Sequence, residues 1–147
     1  MDADLAVQKV RAFNRFYMPR MNLLGNHYLG SEYSATEARV LFEIREHDGC
    51  NAACIAKAMN IDKSYLSRII ASHEKNGYLV KAVSSADKRS HELHLTEKGV
   101  ERAEEFVKMS DEDVTRILAP LTSSERKRVV DALETITTLL GKGDGSR

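Results

Sequence analysis

Asp87, Lys88 and Arg89 stand in a polar stretch, Ser84 to Ser90, that runs into an alternating segment, His91-Glu92-Leu93-His94-Leu95. Two adjacent cations at a loop tip suit phosphate. A guanidinium suits a narrow DNA minor groove, where negative potential is concentrated. Arg89 is the residue expected there, with Asp87 able to hold its fork through a charge-assisted hydrogen bond. Upstream, a helical period puts Leu66, Ile69, Ile70 and His73 on one face and Lys63, Ser64, Ser67, Arg68 and Ala71 on the other. From that second face Arg68 can read a guanine through its two acceptors, and Ser64 and Ser67 can touch bases or phosphate. Tyr65 lies between the two faces, open to a core-edge role or a phosphate contact.

The 147 residues carry no net charge, which alone argues against nucleic acid. The distribution argues the other way. Residues 1–50, 51–99 and 100–147 carry −1, +3 and −2, so the neutral total hides a basic centre. Other chemistries lack their parts. The chain has no Gly-rich phosphate loop, no supported Ser/His/Asp or Cys/His set and no paired carboxylates in an identifiable cleft, so neither an enzyme nor a cofactor is expected. His27, His47, His73, His91 and His94 are scattered without metal-ligand spacing, and His91 and His94 fall on opposite faces of a strand. His73 continues a core stripe and reads as a satisfied interior histidine. Cys50 and Cys54 are too few for a disulfide framework, and a reducing cytoplasm follows as the default. Both read first as packing and second as a thiol switch, with Cys54 in the first turn of a helix. No apolar run approaches the length of a membrane span and no signal peptide opens the chain.

The elements that position these residues are mostly helical. Residues 4–26 repeat Val10, Phe13, Tyr17 and Leu24 at helical spacing, with Pro19 expected to kink or divide the run. Ser34-Ala35-Thr36-Glu37 is a capping box opening a helix to about His47, with Ala38, Leu41 and Ile44 inward. Asn51 caps a short helix over 52–59, buried through Ile55, Ala58 and Met59. Asn60 tolerates the left-handed turn, and Asp62 caps the helix over 63–76 that carries Arg68. A strand over 78–83, the polar loop and a strand over 91–95 make a hairpin. Thr96 caps a helix to about Ala119. Thr122-Ser123-Ser124-Glu125 is a second capping box, and the last helix repeats Val129, Leu133, Ile136 and Leu140 as a seam for another helix. Residues 141–147 read as a disordered tail.

A helix-turn-helix followed at once by a hairpin is a winged helix. The fold class is therefore mainly α with a small β-hairpin wing. At this level the chain resembles the MarR family of bacterial transcription regulators. The wing "DKRSHELHLTEKG" matches the family pattern through Asp87, Lys88, Arg89, Leu93, Leu95, Thr96 and Gly99, and "ACIAKAMNIDKSYLSRIIASHEKNGYLVK" resembles its helix-turn-helix. Lys88 stands where Arg is common and Asn60 where Gly is usual. A narrower likeness, in "VRAFNRFYMPRMNLLGNHYLGSEYSATEARVLFEI", is to the subgroup often continued by a GNAT-type acetyltransferase domain, which nothing after residue 140 provides.

The resemblance implies a single domain over 1–147. Residues 34–99 would form the DNA-binding core, and residues 1–30 and 100–140 the dimerisation helices. It implies a homodimer on a palindromic double-stranded operator, acting as a repressor released by a small acidic or phenolic effector, with no membrane partner. The DNA-contact set is Lys63, Ser64, Tyr65, Ser67, Arg68, Asp87, Lys88 and Arg89. The aromatic group Phe13, Phe16, Tyr17, His27, Tyr28 and Tyr33 reads first as dimer core. Second, it reads as an effector pocket in which Phe16, Tyr17, Tyr28 and Tyr33 hold a ring and Arg15 or Arg20 meets its charge. Two other readings stay open: a regulatory module cut from an acetyltransferase fusion, and a redox-sensing regulator using Cys50 and Cys54.

Overall fold

The computed structural model describes residues 1–146. Helices α1 (Ala3–Arg20), α2 (Ala35–Glu46), α3 (Ala52–Met59) and α4 (Lys63–Lys75) lead into strands β1 (Leu79–Val83) and β2 (His91–Leu95), and helices α5 (Glu97–Leu118) and α6 (Ser123–Leu140) follow. The chain divides into two compact units, residues 1–110 and 111–147.

The helix starts are set by side-chain caps that satisfy otherwise orphaned amides. Ser34 and Glu37 form a reciprocal capping box on α2, and Thr122 and Glu125 form another on α6. Asn51 and Asp62 accept from Cys54 N at 2.9 Å and Tyr65 N at 3.1 Å, opening α3 and α4. Between them Asn60 takes φ 52°, ψ 50°, and its amide meets the carbonyls of Ala56 and Lys57. That left-handed residue makes the turn between the two helices.

The core of the first unit joins α2, α3, α4 and the hairpin through Val40, Ile44, Ile55, Ala56, Leu66, Ile69, Ile70, Leu79 and Leu93. The strands pair antiparallel with Leu79 opposite Leu95 and Val83 opposite His91. On the outer edge of β2, Gly49 N donates to Leu93 O and Leu93 N to Cys50 O, so the segment before α3 runs beside the wing like a third strand. A second cluster, Tyr33, Ala38, Leu41, Ala103 and Phe106, sets α5 on α2.

Three expectations change. The first helix ends at Arg20 rather than 26, because Asn22 takes φ 58°, its amide meets Pro19 O and Leu23 N meets Met18 O. That closure ends the helix just after the proline and leaves Leu24 outside it. In α3 Ala56 is buried and Ala58 exposed, since the helix packs on α2 and α4 through Ile55 and Ala56 together. The tail read as disordered continues as a 3-10 segment over Gly141–Ser146, where Gly141 keeps a right-handed helical conformation; Arg147 lies outside the described residues.

Gly99, in the first turn of α5, is needed for space. A Cβ there would overlap the carbonyl group of Tyr78. Alanine is the better helix former by about 1 kcal/mol, yet Gly99→Ala should lower the thermal midpoint clearly. A midpoint at or above wild type would mean that α5 and the start of β1 can separate without loss.

Candidate nucleic-acid interface

The buried side of α4 decides what its other side shows. Leu66, Ile69, Ile70 and His73 are all buried, so Lys63, Ser64, Ser67 and Arg68 face outward and are exposed. Tyr65 belongs with them. It is 37% exposed, and the Arg68 guanidinium lies 5.9 Å from its ring centroid, a cation–π approach that orients both side chains on the outer face.

The wing follows α4 through Gly77 at φ +81° and carries its cations at the tip. Ser84 N donates to Ser90 O at 3.0 Å and Ser90 N to Asp87 O at 3.0 Å, closing the loop. Asp87 Oδ1 accepts from the Arg89 backbone amide at 3.0 Å and from its Nε at 3.5 Å. The first bond shapes the turn; the second is too long and too wet to fix the guanidinium, whose side chain is 93% exposed. Asp87, Lys88 and Arg89 thus share one exposed tip.

The aromatic set separates. Tyr33 is buried, edge-on to His73, Tyr78 and Phe106, and Tyr28 lies 6.4 Å from Phe106. Arg102 covers this cluster, 4.5 Å from the Phe106 centroid and paired with Glu32 and Glu105. On α1, Phe13 stacks on Tyr17 at 5.1 Å, while Phe16, Arg15 and Arg20 are exposed. Among the described residues no ring contact joins Phe16 or Tyr17 to Tyr28 or Tyr33.

His73 is only half satisfied. Its Nε2 meets Glu37 O at 2.8 Å, whereas Nδ1 is buried without a partner, and burial holds the imidazole pKa below its ordinary value. His94 is the opposite case. Nδ1 meets Asp48 at 3.0 Å and Nε2 meets Glu92 at 3.2 Å, and these two carboxylate bonds push its pKa up. Sequence periodicity placed His94 on the outer strand face but could not show Asp48, which approaches from the α2–α3 loop. Burial pushes the Cys50 thiol up, with the nearby Cys54 adding to the rise, so Cys50 lacks the lowered pKa of a redox-sensing thiolate.

Residues 33–91 match the MarR family. The matched segment takes in α2, α3, α4 and β1 of the winged helix, and MarR-family proteins are transcriptional regulators. A protein of Thauera aromatica described as a transcriptional regulatory protein for the hcr operon is 30% identical over 94 residues, covering 62% of this chain and 55% of that protein. The chain thus aligns with about half the length of that curated relative. Apo MarR from E. coli is similar in structure at TM-score 0.73, with 18% identity over 88% of this chain and 94% of that one. Streptococcus pneumoniae FabT, solved in complex with DNA, is similar at TM-score 0.69, with 19% identity over 95% and 98% of the two chains. At these identities the structural likeness speaks to the fold. The narrower likeness to acetyltransferase-fused members finds no counterpart among these relatives.

His73 and His94 give opposite pH signatures. A His94 pKa raised above the unfolded value of about 6.5 means its stabilisation is full below that value and lost as pH rises through the folded pKa. A depressed His73 pKa means stability is lost as pH falls below about 6.5, where only the unfolded chain takes the proton readily. Urea midpoints measured from about pH 8 to 5 should therefore show the wild type gaining on His94→Gln and losing on His73→Leu as pH falls. Parallel curves for either pair would remove that histidine from the stability profile.

Proposed function

We propose that this chain is a DNA-binding transcriptional repressor that acts in the cytoplasm as a homodimer on a palindromic operator. In this reading residues 34–99 read the DNA, and residues 1–30 and 100–140 make the dimer. The observation that carries it is the pairing of an exposed polar face on α4 with an exposed cationic wing tip built on the same core. Lys63, Ser64, Tyr65, Ser67 and Arg68 enter the major groove; Lys88 and Arg89 meet the flanking minor groove and its phosphates, with Asp87 shaping the turn. The DNA complex of FabT and the regulator from Thauera aromatica support the same assignment.

Dimerisation is supported by the two helices left with apolar faces uncovered. On α1, where no residue is buried, Val10, Phe13 and Phe16 are 47%, 38% and 63% exposed. On α6, Val129, Leu133, Ile136 and Leu140 are 37%, 41%, 38% and 65% exposed. Faces of this kind need a partner surface, and a second copy supplies one. No helix among the described residues is long and apolar enough to cross a membrane. Release from DNA is assigned to an aromatic acid held by Phe16, Tyr17 or Tyr28 with Arg15 or Arg20, altering the separation of the reading helices; Tyr33, buried against His73, Tyr78 and Phe106, drops out of that set.

Genomic fragments retained at moderate salt should share a palindrome with half-sites about 10 base pairs apart. Arg89→Ala should weaken binding across many sequences, and Arg68→Ala should also relax preference at one position per half-site. With about six to ten phosphates neutralised, affinity should fall a thousandfold or more from about 50 to 200 mM salt. Unchanged affinity in Arg89→Ala would take the wing out of DNA binding.

Light scattering should give twice the 16.5 kDa chain mass, and replacing Leu133 and Ile136 with Glu should give monomer or unfolded chain. A wild-type monomer at micromolar concentration would sink the dimer.

A further inference from the structure

Asn51 does two things with one amide. Its Oδ1 accepts from Cys54 N at 2.9 Å, capping α3, and its Nδ2 donates to Ser90 Oγ at 3.3 Å. The cap fixes which way the amide points. Turned over, the NH2 group would face the Cys54 N–H, donor against donor, so capping the helix obliges the other end of the amide to face the wing.

Ser90 is where that contact has most leverage. It follows Arg89, and its backbone closes the tip through Ser84 N to Ser90 O and Ser90 N to Asp87 O. Holding Ser90 therefore holds the base of the loop that presents Lys88 and Arg89. Packing does little at this level. Asn51, Ala52, Ala53, Lys81, Arg89 and Ser90 line an open cavity of about 290 Å³ between α3 and the wing. Below it, the backbone bonds of Leu93 to Gly49 and Cys50 fasten the strand but stop short of the tip.

We propose that Asn51 is a positioning residue for the wing: through Ser90 it ties the tip carrying Arg89 to the first helix of the reading head. The assignment rests on the DNA-binding reading above. It makes one residue set both the start of α3 and the placement of the wing cation.

The test is a double-mutant cycle on full-length protein, using fluorescence anisotropy with an operator fragment recovered by genomic pull-down. Ser90→Ala leaves the α3 cap intact, and Asn51→Ser keeps a capping hydroxyl too short to reach Ser90. Each should weaken binding about fivefold, the worth of one ordinary hydrogen bond, with thermal midpoints close to wild type. Ser90→Thr, which keeps the hydroxyl, should restore affinity. In an Arg89→Ala background, Ser90→Ala should have little further effect, because there is no guanidinium left to place. Unchanged affinity in Ser90→Ala, or losses from Ser90→Ala and Arg89→Ala that simply multiply, would overturn the assignment while leaving DNA binding standing. A wild-type protein that retains no genomic fragment would instead remove the DNA-binding reading, and the assignment with it.

Discussion

The chain leaves α4 through Asn76, Gly77 and Tyr78, whose carbonyls lie past the helix, and the start of α5 supplies their partners. Thr96 Oγ1 donates to Gly77 O at 2.6 Å and the Lys98 ammonium to Asn76 O at 2.9 Å, while Thr96 N meets Tyr78 O at 3.0 Å. Thr96 Oγ1 also accepts from Gly99 N at 3.0 Å, opening α5. One threonine thus finishes the helix before the wing and begins the helix after it. The hairpin has its two feet pinned together, and the wing can leave the core only in the direction this junction allows. The approach is close enough that Gly99 has no room for a side chain, and the Lys98 ammonium sits 5.0 Å from the Tyr78 ring centroid. The exposed face of α4 and the tip of the wing keep a fixed relation because both are anchored here.

Neutral net charge does not weaken a DNA-binding reading, because charges act locally. Exposed charges separated by more than about 8–10 Å are screened at physiological salt. Several acidic groups are occupied elsewhere in the first unit: Glu43 with Arg39, Glu104 with Arg45, and Glu32 and Glu105 with Arg102. Among the described residues no ion pair engages Lys63, Arg68 or Lys88, so these cations remain available to phosphate. Arg68 is oriented by the Tyr65 ring instead, which leaves its donors free to point outward.

What the sequence made legible is what acts over a few residues. Capping oxygens three residues before the amides they serve, a left-handed Asn between two short helices, and the period of Leu66, Ile69, Ile70 and His73 are local patterns, and all appear in the structure. The exposed face of α4 and the exposed wing tip follow from them. Contacts across the chain were not legible. Asn51 to Ser90 and Asp48 to His94 join residues 39 and 46 apart in sequence, and neither residue type announces its partner. Periodicity failed where a proline masked a helix end: the apolar repeat carried on through Leu24, while Asn22 turned the chain away. It also failed in α3, where eight residues are too few for a stripe to distinguish Ala56 from Ala58.

The same periodic signal has opposite fates in α5 and α6. In α5, Ala103 and Phe106 are buried against Tyr33 and Leu41 of their own chain. In α6, Val129, Leu133, Ile136 and Leu140 repeat as regularly, yet no residue of the helix is buried. A period reports which side of a helix is apolar and is silent about whose surface will cover it. An isolated helix gains little from propensity alone, and most of its stability comes from packing that apolar side. No residue of α1 or α6 is buried, and in the homodimer proposed above a second copy would supply that packing. Under that proposal folding and association share one equilibrium, so the apparent stability of α1 and α6 would rise with protein concentration while that of the core around Leu66 would be set within a single chain.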